Sequence, residues 1–191
     1  MAVAGILGGI ALLAVIIVVW AISVYNRLIS MRNLKEEGWS GIDVQLKRRH
    51  DVIGNLVNTV KGYMQHERGA LEEITRLRAS AQQTSANASG VAAVAAAESG
   101  LTQALGRLFA VMENYPDLKA SENTLQLQES LNGLENDLQM ARRYYNGTVR
   151  NFNILIQSFP SNIVARRYAF KEGEFFELDS VVERAVPQVS L

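Results

Sequence analysis

Apolar residues follow three kinds of pattern along this chain, and each predicts a different element. The first is an unbroken run. No charged side chain occurs from Met1 to Asn26, and Val3–Ser23 is almost entirely Ala, Val, Ile, Leu and Gly. A helix rises about 1.5 Å per residue, so roughly 20 apolar residues cross a ~30 Å hydrocarbon layer. A buried helix of a water-soluble domain would carry a polar stripe, which this stretch lacks. A cleaved signal peptide would open on basic residues, and Met1–Ile10 holds neither Lys nor Arg. The run predicts a transmembrane anchor over residues 1–29.

The second pattern is a mixed, charged stretch over residues 30–41, where Gly38 and Gly41 flank Trp39-Ser40 and predict a hinge. From Ile42 the third pattern begins, apolar residues in alternating steps of four and three. One stripe runs Ile42, Leu46, Ile53, Leu56, Val60, Tyr63, Ala70, Ile74, Leu77, Ala81, with Arg49 and Glu67 falling on the same line. It predicts a single helix of ~65 Å. Asn87-Ala88-Ser89-Gly90 reads as a turn. A second stripe then passes through Val94, Glu98, Leu101, Leu105, Leu108, Met112 and Tyr115 and stops at Pro116. Ser121 stands where an N-cap belongs. Beyond it a third stripe, Leu127, Leu131, Leu134, Leu138, Ala141, Tyr145, Thr148, Phe152, Leu155 and Phe159, keeps a seven-residue repeat as far as Pro160. Ser161 is expected to cap a short basic amphipathic segment, Ile163–Phe170, and residues 177–191 read as a tail.

The expected fold is all-α: an N-terminal transmembrane helix, then a long up-and-down antiparallel bundle over residues 42–176, built of three long helices and a short fourth. If the first two helices reverse between Asn87 and Ala88, Ala70 faces Leu105 and Ile74 faces Leu101. In that register Glu98 lies beside Arg76 and Arg78, and Glu67 lies near Arg107. A buried carboxylate without a partner is costly, so ion pairs are expected at both places, unless the long acids snorkel to solvent.

Charge and composition narrow the function. Nineteen basic residues balance nineteen acidic ones, which argues against a nucleic-acid binder. Cysteine is absent, which removes disulfides, thiolate metal sites and cysteine catalysis. His50 and His66 are turned by about 160° around one helix and cannot share a metal. His66-Glu67 lacks the second histidine of a zincin, with Ala70 in its place. No catalytic residue, metal or cofactor is expected. Arg27, Arg32 and Lys35 follow the span, which predicts a cytoplasmic C-terminal domain and an N-terminus outside. Trp20, Tyr25, Arg27 and Arg32 are the expected residues of the inner membrane interface. Lys47-Arg48-Arg49 suits anionic lipid or an acidic partner.

The run Trp39-Ser40-Gly41-Ile42-Asp43-Val44-Gln45-Leu46-Lys47-Arg48-Arg49, followed by Asn55-Leu56-Val57-Asn58-Thr59-Val60-Lys61-Gly62-Tyr63, resembles the LemA family of bacterial membrane proteins. Ala104-Leu105-Gly106-Arg107-Leu108, Tyr115-Pro116-Asp117-Leu118-Lys119-Ala120, Glu135-Asn136, Tyr145-Asn146 and Phe159-Pro160 continue the match in order. Gly54 stands where relatives resemble a proline, so the helix is expected to be looser there and a kink shared with the family is not carried over. The resemblance implies a single-pass protein of the bacterial inner membrane with a cytoplasmic helical bundle, and it implies no catalytic residues.

The second helix is too short to cover the first and third stripes from end to end. A stripe of Leu127, Leu131, Leu134, Leu138, Tyr145, Phe152 and Phe159 left open would be an association seam. The expected function is therefore a membrane-anchored, non-catalytic scaffold that self-associates as a homo-oligomer through its bundle and organises or shapes the membrane. The alternatives are an adaptor that presents the bundle to a membrane protease, transporter or signalling partner, and an enzyme or its accessory, which would need a concave polar pocket.

Overall fold

The computed structural model describes residues 2–87 and 89–177, and every regular element among them is a helix. In chain order these are α1 (Ala2–Val60), α2 (Arg68–Ala86), α3 (Val91–Met112), α4 (Pro116–Lys119), α5 (Glu122–Gln157) and α6 (Ser161–Arg167). All but the first residue of the expected tail lies outside the described residues. Several local signals fall at the ends of these elements. Gly90, at φ +97°, turns the chain between α2 and α3, a conformation open to glycine alone at little cost. Pro116 occupies the first turn of α4, and Ser121 directly precedes α5.

The chain divides into two units, Met1–Trp39 with Tyr144–Gly173 and Ser40–Arg143 with Glu174–Leu191. In the first unit, eleven large aliphatic residues between Ile6 and Ile22 are each more than half exposed. This helical stretch is long and apolar enough to cross a membrane, and none of it is buried against protein. Such a surface is stable against hydrocarbon rather than water, and it points to a membrane protein. Further along, Leu28 of α1 packs with Phe152 of α5 and with Val164 and Ala165 of α6, and Trp20, Val24, Leu155 and Phe170 close around them. Ser161 opens α6 but does not cap it: its hydroxyl is shared between the carbonyls of Leu155 (2.7 Å), in the last turn of α5, and Ser158 (2.9 Å), just beyond it. The amide of Asn153 closes the unit, accepting from the Gly173 N–H (2.8 Å) and donating to the Gly173 carbonyl (3.0 Å).

The expected hinge at residues 38–41 is not a break, since α1 continues through it. Gly38 serves a different purpose there. A Cβ on it would stand 3.2 Å from the Tyr145 Cα and 3.4 Å from the Tyr144 ring, so glycine lets α1 and α5 touch backbone to backbone. The Trp39 and Tyr145 rings meet just beside it, 5.5 Å apart.

The second unit corrects the helix count. The long helix expected over residues 42–81 is two helices. It breaks at residues 61–67, where the Val60 carbonyl accepts from both Tyr63 and Met64 at 3.0 Å and the chain reverses. The heptad spacing runs straight through this turn, so periodicity alone conceals it, and Gly62 was the available signal. α2 returns along α1, with Ser85 bonded to Asp43 (3.0 Å) and Arg78 to the His50 carbonyl (2.6 Å). α3 reverses again on α2, placing Gly100 against Leu77. The first part of α5 completes an up-and-down four-helix arrangement around Ile53, Leu56, Ile74, Leu101, Leu105, Leu108 and Leu131.

The extra helix and α6 also remove the expected association seam. Leu131, Leu138, Tyr145 and Phe152 are buried within the chain itself, and Leu127 and Leu134 are half-buried. Of the seven, Phe159 alone stands open, 81% exposed. The stripe is the monomer's own core.

Candidate functional site

The densest chemistry among the described residues lies inside the second unit, on the inner faces of α1 and α3. Glu98 of α3 has no exposed surface, and Arg49 and His50 of α1 are almost as deep. The carboxylate is held from both sides: Arg49 Nη1 donates to Oε2 at 3.1 Å, and His50 Nε2 lies 2.7 Å from Oε1. With the carboxylate as acceptor, that His50 nitrogen carries the proton. The second guanidinium nitrogen of Arg49 donates to Thr102 Oγ1 at 2.8 Å and stands 3.5 Å from the half-exposed Glu135 of α5. Thr102 in turn donates to the Glu98 carbonyl at 2.9 Å. Arg78 of α2 crosses to donate Nε to the His50 carbonyl, and its guanidinium fills the space beside Gly54, where a Cβ would come within 2.9 Å of it. Four helices therefore meet on one buried polar knot.

Chemically the knot is closed. Each carboxylate oxygen of Glu98 already has a cationic or N–H partner, and the guanidinium of Arg49 bridges Glu98, Thr102 and Glu135. Among the described residues no group of three His, Cys, Asp or Glu side chains is placed to hold a metal. Charges taken out of water are tolerable when paired and hydrogen-bonded in this way.

The expected ion pairs are redistributed. Glu98 pairs with Arg49 and His50, not with Arg76 or Arg78, because the turn at residues 61–67 folds α1 back beside α3. On an unbroken helix those two residues would have lain far from Glu98. Arg76 is exposed. Arg107 bonds Glu73 at 2.8 Å in place of Glu67, whose carboxylate is 3.5 Å from the Tyr115 hydroxyl. The reason is side-chain direction. Each side chain tilts toward its own helix N-terminus, so on antiparallel helices the tips meet at higher residue numbers than the facing Cα atoms. One sign of the knot was visible in the sequence, since Arg49 sits at an apolar position of its stripe.

The residues expected at the membrane interface belong to the first unit. The Tyr25 ring lies tilted 4.7 Å from Tyr168 and edge-on 6.0 Å from Phe170, and the Arg32 guanidinium lies 5.9 Å from the Phe170 ring. Trp20 is half-buried beside Leu28, while Arg27 is exposed.

Two magnetosome proteins are similar in sequence. MamQ 2 of Paramagnetospirillum magneticum is 27% identical over 176 residues, and MamQ of Magnetospirillum gryphiswaldense is 24% identical over 174. In both cases the match covers 80% of this chain, and the chain spans only 64% of the length of those proteins. The protein LemA of Metamycoplasma hominis is 26% identical over 156 residues, covering 82% of this chain and 70% of that protein. The sequence model of the LemA family matches residues 38–191, from the contact at Gly38 through every helix that builds the knot, and the chain belongs to the LemA family.

Proposed function

We propose that this protein is a single-pass, membrane-anchored, non-catalytic scaffold whose bundle stands on the cytoplasmic side and presents its outer surface to a partner in the membrane. The closed knot carries this reading. Catalysis needs ionisable groups convergent on a place where substrate can sit, and the only deeply buried set among the described residues satisfies itself. The burial of the third stripe moves the balance from self-assembly through the bundle toward the adaptor form, because a single copy already covers that stripe.

Mass photometry of the full-length chain in nanodiscs checks this. One copy per particle is expected, and a discrete larger species would replace the adaptor reading with self-assembly through other faces. Orientation has its own test, since the cysteine-free chain makes any introduced thiol unique. Gly133 has open space where a side chain would go. Ala2→Cys should react with an impermeant maleimide in intact cells, and Gly133→Cys only after permeabilisation. Labelling of both from outside would exclude the single pass, and the reverse pattern would invert it.

A further inference from the structure

We propose that the turn from α5 into α6 is a second membrane contact, which seats Phe159, Ile163 and Tyr168 in the interfacial layer of the bilayer that α1 crosses. The inference rests on the reading of α1 as the membrane span.

Height along α1 is the first argument. α5 runs antiparallel to α1 with Gly38 against Tyr145. Fourteen residues on from Tyr145 is Phe159, and fourteen residues back from Gly38 is Val24, so the tip of α5 stands level with about the end of the apolar stretch. The contacts agree, since Trp20 and Val24 line one groove with Ser158, Pro160 and Ser161. The turn is thus held at the depth where a span gives way to headgroups.

Exposure is the second. Phe159 is 81% exposed, more than any aliphatic residue of the span, and Ile163 and Tyr168 are each 58% exposed. Single apolar residues on a surface are ordinary, but here three large ones stand on one short turn and helix beside a lipid-facing surface. With Trp20 and Tyr25 of α1, they form a group of aromatic and aliphatic side chains of the kind enriched at membrane interfaces.

Charge is the third. From Phe159 to Lys171 the only charged residues are Arg166, Arg167 and Lys171, all basic and exposed. The Arg167 guanidinium lies 5.8 Å from the Tyr168 ring, so a positive charge stands beside one of the three exposed side chains. An amphipathic segment with an apolar edge and a basic rim matches acyl chains beneath anionic headgroups. Tyr25 and Phe170 fix α6 to α1, so the patch is presented without further folding.

The test places single cysteines at 159, 163, 22 and 133 of the full chain. Each is labelled with a small environment-sensitive fluorophore, in nanodiscs of phosphatidylcholine and phosphatidylglycerol brominated high on the acyl chains. Phe159→Cys and Ile163→Cys should be quenched several-fold more than Gly133→Cys and to an extent comparable with Ile22→Cys. Quenching at 22 with 159 and 163 matching 133 would overturn the inference and leave the span intact. That result is also the one expected if another protein surface covered the turn. Absence of quenching at 22 would overturn both.

Discussion

Replacing Glu98 by alanine is expected to destabilise the bundle by about 3–5 kcal/mol, the range for removing one partner of a buried ion pair. The side chain has no exposed surface, and its loss takes from Arg49, itself only 5% exposed in its side chain, its one fully buried counter-charge, leaving Thr102 and the more distant, half-exposed Glu135, and it takes the acceptor from His50. Replacing the pair together, Arg49→Met with Glu98→Leu, should cost less than Glu98→Ala alone, because it leaves no buried charge behind. Glu73→Ala supplies the contrast: its pair with Arg107 is exposed, at 40% and 58% of the side chains, and an exposed pair contributes about 0.2–1 kcal/mol. Denaturant titration of the full chain in detergent, followed by helical circular dichroism, measures all three. A loss at Glu98→Ala no larger than at Glu73→Ala would show that solvent reaches the knot, and the argument for a closed core would go with it.

The other large effect belongs to the first unit. Phe152→Ala should cost about 3–5 kcal/mol, the range for removing a buried aromatic and leaving a cavity. Its ring is buried against Leu28, Val164 and Ala165 and lies 6.3 Å from Phe170. The Lys35 ammonium sits 5.3 Å from its centroid, a cation–π contact that disappears with the ring. Because α6 and the segment through Phe170 pack on this ring, hydrogen exchange should accelerate first there and at the Gly173 amide held by Asn153. Unchanged exchange between residues 161 and 173 would mean that α6 is held by something other than this core.

Much of the architecture was legible because stripes, prolines and glycines report local physics directly. Pro116, Pro160 and Gly90 end or turn the chain where their backbones require it, and the α2–α3 hairpin followed from two stripes sharing one register. The turn at residues 61–67 was not legible. Tyr63, half exposed, and Glu67 fall on heptad positions by coincidence of spacing, so the apolar period continued where the helix did not. That one break displaced the expected partners of Glu98, raised the number of packed helices, and turned an expected seam into core. Gly38 carried a second ambiguity. Glycine in a helix signals either flexibility or close approach, and only the position of Tyr145 decides between them.

The knot has a consequence for uniqueness. Heptad stripes are nearly indifferent to sliding: moved along a neighbour by seven residues, about 10 Å, one leucine face still meets another. Apolar packing alone would therefore admit several near-equal alignments of α3 against α1. A shift by a single turn, about 5.4 Å, pulls Glu98 beyond reach of both Arg49 and His50 and leaves the carboxylate buried without either partner. The three polar side chains work like the teeth of a key among smooth blanks, and the misaligned bundles become the unstable ones.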